Sequence, residues 1–211
     1  MTMPTPEQIL AGLTEIANQW RAMAIAWHVC FAVLAVGIAL GARPPKRIAA
    51  ILLALPLFSV SALAWAQANP FNGTFFGLAA IALVAVAIRL PHDRIRVASN
   101  WAVMAGALMF VFGWGYPHFL DATSWVPYLY SAPTGLIPCP TLSIVIGMAL
   151  ILDGLGSRAW SLVLAATGAF YGVFGAARLG VTIDWVLFVG SLLLVFAVLR
   201  SRLETRVQSA E

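Results

Sequence analysis

Charge is what this chain has least of. Only 9% of its 211 residues are Asp, Glu, Lys or Arg, against about 25% in a typical soluble domain. So few charges cannot wet a globular surface, which excludes an ordinary soluble domain and leaves lipid to cover most of the chain. Lysine occurs once, as Lys46, outside every apolar run. That excludes a retinal-type Schiff base, which needs a lysine inside a late helix. No Asp, Glu, Lys or Arg is central in any apolar run, which counts against the buried proton relays of pumps and ion-coupled carriers. The first twenty residues lack a basic n-region and contain Glu7 and Glu15, so they do not read as a signal peptide. No motif names a reaction or a substrate, and the sequence indicates no cofactor.

What the chain has is apolar length. It is 62% hydrophobic with a mean hydropathy of +0.92. In hydrocarbon every backbone N–H and C=O needs an internal partner, which leaves helices or closed barrels. The runs are continuous and do not alternate as barrel strands would, so the expected fold is an all-α polytopic transmembrane bundle. Seven spans are expected, over 23–40, 48–66, 71–88, 97–113, 137–152, 159–177 and 183–199. Several are near the lower limit of about 17–25 residues for a bilayer. Those at 71–88 and 137–152 are the weakest, and a re-entrant segment there would flip everything after it.

Ten of the twelve Lys and Arg residues fall in alternate breaks between these runs: Arg43, Lys46 and Arg47; Arg89, Arg94 and Arg96; Arg158; and Arg200, Arg202 and Arg206. Only Arg21 and Arg178 fall in the other set. Seven crossings put all four basic segments on one face, with the N-terminus outside and the C-terminus cytoplasmic. Basic residues at membrane ends meet anionic lipid headgroups, so the formal charge of +4 calls for the bilayer as partner and for no nucleic acid. Residues 1–22 read as an amphipathic helix, with Thr5 as N-cap, Pro6 at the first position and Gln8 completing a capping box. Residues 23–199 form the bundle and 200–211 a cytoplasmic tail.

Candidate site residues gather toward the outer end. Residues 115–137 hold Tyr116, Phe119, Trp125, Tyr128 and Tyr130 together with Pro117, Pro127 and Pro133. Loops this long are often lids or binding loops, while rings at headgroup level form an aromatic belt; both readings stay open. His118 and Asp121 are three apart and would meet on a helix. Next comes Pro138-Cys139-Pro140-Thr141. With Pro140 at the first helical position, Cys139 sits at a helix N-terminus. Such an end binds anions and activates or metallates a thiol. Asn69 begins a turn with Pro70, Asn72 and Gly73 and offers an amide to a cavity beside Cys139. His28 is the other candidate metal ligand, but its helical neighbours carry no donor, so a site shared with Cys139 would draw on several helices. Cys30 lies too deep to suit a disulfide with Cys139. Asp184 is expected to cap a helix and pair with Arg178. Gly37-x-x-x-Gly41 and Gly168-x-x-x-Gly172 mark close helix packing and leave oligomerisation open.

The Pro138-Cys139-Pro140-Thr141 patch after an aromatic, proline-rich loop resembles an uncharacterised bacterial family of multi-pass membrane proteins, a domain of unknown function. So do Asn69-Pro70 followed by Phe76-Gly77, and the opening Thr5-Pro6-Glu7-Gln8. The resemblance implies a bacterial inner-membrane location and brings no activity. The residues themselves favour an outward-facing pocket that binds or transports a small solute, using Cys139, Thr141, His118, Asp121, Tyr116 and Asn69. A soft metal ion at His28 and Cys139 is the weaker ligand. The alternatives are a membrane enzyme with Cys139 as nucleophile and His118 as base, and an accessory or assembly subunit of a membrane complex.

Overall fold

The computed structural model describes residues 5–208, with side chains as far as 201. Among these residues all regular structure is helical apart from one isolated bridge between Pro45 and Arg94. The helices are α1 (Pro6–Gln19), α2 (Arg21–Ala39), α3 (Lys46–Ala66), α4 (Pro70–Ala87), α5 (Asn100–Trp114), the short α6 (Tyr128–Ser131), α7 (Pro138–Ile151), α8 (Arg158–Val173) and α9 (Trp185–Gln208).

Local chemistry sets several of these ends. Thr5 and Gln8 form a reciprocal capping box, the Thr5 N–H donating to Gln8 Oε1 at 2.9 Å and the Gln8 N–H to Thr5 Oγ1 at 3.4 Å. Asn69 caps α4 by accepting from the Asn72 N–H at 3.1 Å. Just past the end of α2, Gly41 takes φ +97°, a left-handed value open to glycine. A Cβ at Gly37 would meet only Ala42 of its own chain. This pair of glycines therefore ends a helix and does not join two, contrary to the packing role expected from its spacing. α9 continues beyond the expected end at 199 as far as Gln208. Residues 1–4 and 209–211, the outer ends of the expected amphipathic helix and tail, lie outside the described residues, as do the Arg202 and Arg206 side chains.

Five helices (α2, α3, α4, α8 with the turn that follows it, and α9) are long and apolar enough to cross a membrane. α5 and α7 are apolar but only 15 and 14 residues long, about 21–23 Å at 1.5 Å per residue. The short members are therefore the expected spans at 97–113 and 137–152, and the one at 71–88 has full length. α7 can be short because it is the central pillar. Pro138 and all residues from Pro140 to Leu150 are buried. It packs on α5 and also touches α3, α8 and α9, while α3 pairs with α4 and α8 with α9. α2 is peripheral, burying Ala24, His28, Phe31 and Ile38 and exposing Val29, Val33 and Val36.

Glycine permits the tightest contacts. A Cβ at Gly147 would sit 2.6 Å from the Gly106 carbonyl oxygen and 2.7 Å from the Phe110 nitrogen. A Cβ at Gly172 would sit 2.6 Å from the Phe188 nitrogen, so the Gly168–Gly172 pair packs α8 on α9. Backbones that approach this closely gain dispersion contacts in an environment where lipid removes the hydrophobic drive between helices.

The basic breaks converge on one end of the bundle. Lys46 Nζ and Asp93 form an ion pair at 2.6 Å, which holds the Asp93 carboxyl below its usual range. The Ala98 N–H donates to the Ile151 carbonyl at 2.9 Å, and Arg96, Arg158 and Arg200 line one cavity. At the opposite end Trp20, Trp65, Trp125, Tyr130 and Trp185 are exposed, the arrangement of an interfacial aromatic belt. There α1 lies across the bundle, its Leu13, Ile16 and Ala17 packed on Tyr116, Phe119, Leu136 and Ile137.

Because Gly147 faces backbone, Gly147→Val has nothing soft to push aside. Overpacking of this kind costs about 1–3 kcal/mol or more, and the thermal unfolding temperature of the detergent-solubilised protein is expected to fall by several degrees. Gly12→Ala is the control, since a Cβ there meets nothing within 4 Å, and it is expected to melt at or slightly above the wild type, as alanine favours the helix.

Candidate functional site

Three elements meet beneath α1. α7 brings Cys139, the turn before α9 brings Asp184, and the chain just past α5 brings Tyr116. The Tyr116 hydroxyl donates to Asp184 Oδ1 at 2.6 Å, and the Cys139 thiol donates to Oδ2 at 3.0 Å. Asp184 is 2% exposed and Tyr116 0%. A carboxylate in such surroundings is costly unless each oxygen finds a donor, and here both do. Burial, with Cys139 and Asp184 facing the ring, pushes the Tyr116 phenol well up, so it remains a donor across the physiological range.

Gly175 makes the space. It lies in a π-helical turn, Phe174–Arg178, that continues α8, and a Cβ there would run into the Asp184 carboxylate. Such turns occur mostly as single bulges and are frequent at functional sites. On the other side the Tyr171 hydroxyl donates to Asn72 Oδ1 at 3.0 Å, joining α8 to α4 with both side chains buried.

Two cavities adjoin this cluster. One, of about 20 Å³, touches Asn72, Cys139, Tyr171 and Asp184. It has room for one water. The other, of about 290 Å³, shares Leu13, Asn72 and Pro138 with the first. It is lined by the amides of Gln8, Gln67, Asn69 and Asn72 among apolar side chains, with α1 as one wall and no charged side chain.

The candidate residues are distributed unevenly around this centre. Tyr116 and Cys139 meet at Asp184. Asn69 lines the larger cavity. Thr141 is fully buried one turn into α7, donating to the Ile137 carbonyl at 2.7 Å and accepting from the Gly135 N–H at 2.8 Å, so its polar capacity serves the backbone. His118 and Asp121 do not pair, because the chain there is not helical. His118 lies exposed, its ring on Phe119 with centroids 4.3 Å apart, and the desolvation on that side lowers its pKa. The backbone of Asp121 is held instead: its N–H donates to Asn18 at 3.0 Å and its carbonyl accepts from Arg21 at 2.9 Å. His28 is buried with Nδ1 2.8 Å from the Ala24 carbonyl and Nε2 3.0 Å from the Trp114 carbonyl. Both nitrogens thus face carbonyl oxygens and no lone pair is offered to a metal. No group of three or more His, Cys, Asp or Glu side chains converges among the described residues. Both cysteines are free, and Cys30 is exposed on α2.

Two expectations are corrected. α7 starts at Pro138 with Ile137 as N-cap, so prolines fill its first and third positions and Cys139 the second. Of the N–H groups that would cradle an anion, only that of Cys139 remains in those positions. Asp184 points inward to Tyr116 and Cys139 and does not pair with Arg178. Asn72, Tyr171 and Gly175 were not legible as a site. The available signal was a Tyr and an Asn inside otherwise apolar runs, whose polar tips need partners.

Comparison with known proteins returns nothing: no family model, no curated protein and no solved structure matches this chain.

Tyr116→Phe leaves one oxygen of a buried carboxyl without its donor. A loss of about 1–3 kcal/mol is expected, read as a lowered unfolding temperature. Tyr128→Phe, which removes a part-buried bond to a carbonyl (3.1 Å to Leu120), is expected to cost less. Equal effects in the two variants would contradict the central role given to Asp184.

Proposed function

We propose that this chain is a seven-crossing protein of a bacterial cytoplasmic membrane, with its N-terminus outside, that binds a small uncharged polar solute beneath α1. The reading rests on one observation: a cavity of about 290 Å³ lined by amides and no charge, which shares walls with the Cys139–Asp184–Tyr116 cluster. Amide groups offer donors and acceptors together, and the apolar remainder suits an amphipathic body of a few heavy atoms. A charged solute would lose its hydration without a counter-charge in the wall. The resemblance in the Pro-Cys-Pro-Thr patch and the gathering of basic breaks at one end support the location and orientation.

Binding is favoured over free passage. Pro140 to Leu150 are buried without interruption, so the packed body of α7 separates the cavities at the two ends, and transport requires this pillar or α1 to move. The enzyme reading loses its base: the Cys139 sulfur is engaged as a donor to Asp184, and His118 lies exposed. A nucleophile needs the thiolate. A metal ion remains the weaker ligand for want of converging donors. An accessory subunit needs a partner face, and lipid already accounts for the exposed apolar side chains.

The test is accessibility of Cys139 in a Cys30→Ser background. A small membrane-impermeant methanethiosulfonate is applied from outside, with and without acetamide, urea or glycerol as probes. Slow modification from outside is expected, faster in Leu13→Ala, and slowed by at least one probe. Modification only from the cytoplasmic side, or none even in Leu13→Ala, overturns the proposal. Single cysteines at Ser124 and His92 are expected to label from outside and from the cytoplasm respectively. Labelling of both from one side rules out the seven-crossing topology.

A further inference from the structure

The basic end of the bundle holds a further cavity, and the solute site does not involve it. A cavity of about 460 Å³ opens between the segment before α5, the turn between α7 and α8, and the end of α9. Among the described residues three arginines line it, Arg96, Arg158 and Arg200, together with one carboxylate, Asp153. Its floor is apolar, formed by Ala102, Leu150, Leu194 and Val198. We propose that this cavity binds a phosphate group, carried either by an anionic lipid headgroup or by a free phosphomonoester.

The arginines come from three different elements, so the tertiary fold and no local charge run assembles the positive field. Guanidinium groups suit phosphate because their planar forks donate two parallel hydrogen bonds to its oxygens. Arg200 is steadied by Trp101, its guanidinium carbon 6.0 Å from the ring centroid. This contact joins α9 to α5 across the cavity. Ser157 and Ser161 add hydroxyls to the wall, and Ser157 also caps α8 by accepting from the Trp160 N–H at 3.3 Å. The positive end of α8 thus faces the same space as Arg158, its first residue.

The chain is bent out of its ordinary range to build this mouth. Asp153, Gly154, Leu155 and Gly156 all have positive φ, at 53°, 56°, 58° and 65°. Two of the four are not glycine, and Leu155 is 1% exposed. Left-handed residues of this kind are disfavoured and collect at ligand clamps and active sites. The turn delivers Ser157 and Arg158 to the cavity within seven residues of the end of α7. An apolar floor under a cationic rim is the profile of a headgroup site, where the phosphate meets the arginines and the first acyl carbons meet Leu150 and Leu194. A free phosphomonoester would use the rim alone.

The experiment uses the full chain purified in a neutral detergent. Thermal unfolding is followed with added phosphatidylglycerol, phosphatidylcholine, or glycerol 3-phosphate, for the wild type, Arg96→Gln, Arg158→Gln and, as a control, Arg89→Gln. Arg89 sits at the same end but does not line the cavity. A lipid source predicts stabilisation by phosphatidylglycerol alone. A free source predicts stabilisation by glycerol 3-phosphate as well. In either case Arg96→Gln and Arg158→Gln are each expected to weaken the apparent affinity roughly five- to tenfold, as about one near-surface cation contributes, while Arg89→Gln leaves it unchanged. No stabilisation by either phosphate compound, or an equal loss in Arg89→Gln, overturns the proposal. The second result would mean attraction to a basic surface and no built site. Because the readout involves neither Cys139 nor the neutral probes, failure here leaves the solute reading untouched.

Discussion

Between Ala132 and Ile137 the chain runs buried and non-helical into the head of α7, an arrangement that hydrocarbon forbids unless protein supplies every partner. Backbone bonds within the segment, from the Thr134 N–H to Ala132 and from the Leu136 and Ile137 N–H groups to Pro133, share this task with three hydroxyls. Thr134 donates to the Gly113 carbonyl at 2.8 Å, Thr141 receives the Gly135 N–H and donates to Ile137, and Ser59 donates to the Gly135 carbonyl. Gly135 itself takes φ +77° under the Trp27 ring, where a Cβ has no room. This small network fixes where α7 begins. It therefore fixes the height at which Cys139 meets Asp184, and the position from which Pro140 and Gly147 dock against Gly113 and Gly106.

From that anchor the molecule divides into two chemically different ends with a dry body between them. The end that bears α1 carries an uncharged amide-lined cavity, a buried carboxyl with two donors, and α1 itself, laid across the top through its apolar stripe. Asn18 fastens α1 there by donating to the Phe119 carbonyl at 3.0 Å and accepting from the Asp121 N–H. The basic end carries arginines from three elements around a larger opening, with Lys46–Asp93 and the Pro45–Arg94 bridge clasping two loops beside it. The buried length of α7 keeps the two ends apart.

Much of the helical layout was legible because its cause is local. Apolar runs announced the long helices within a few residues of their ends, apart from the far end of α9, and Thr5, Pro6 and Gln8 announced the start of α1. The site was legible only in part. Cys139 and Tyr116 stood out by composition and do meet, but the residue that joins them, Asp184, read as a helix cap paired with Arg178. Its inward turn depends on Gly175 and the π-helical turn in α8, which no spacing rule anticipates. His118 and Asp121 looked like a pair only on the assumption of a helix that the segment does not form. His28 is a ligand by residue type alone, and in the fold its two nitrogens face the Ala24 and Trp114 carbonyls.

The sequence by itself determined that the chain is helical and suited to lipid, and that its cations fall in alternate breaks. Those properties follow from transfer free energies and hydrogen-bond closure, which act residue by residue or turn by turn. Which polar groups face one another was decided only by the tertiary structure. Tyr116, Cys139 and Asp184, or Arg96, Arg158 and Arg200, are far apart along the chain. They converge because glycine contacts set how closely the helices approach and because a short, wholly buried α7 sets their relative heights.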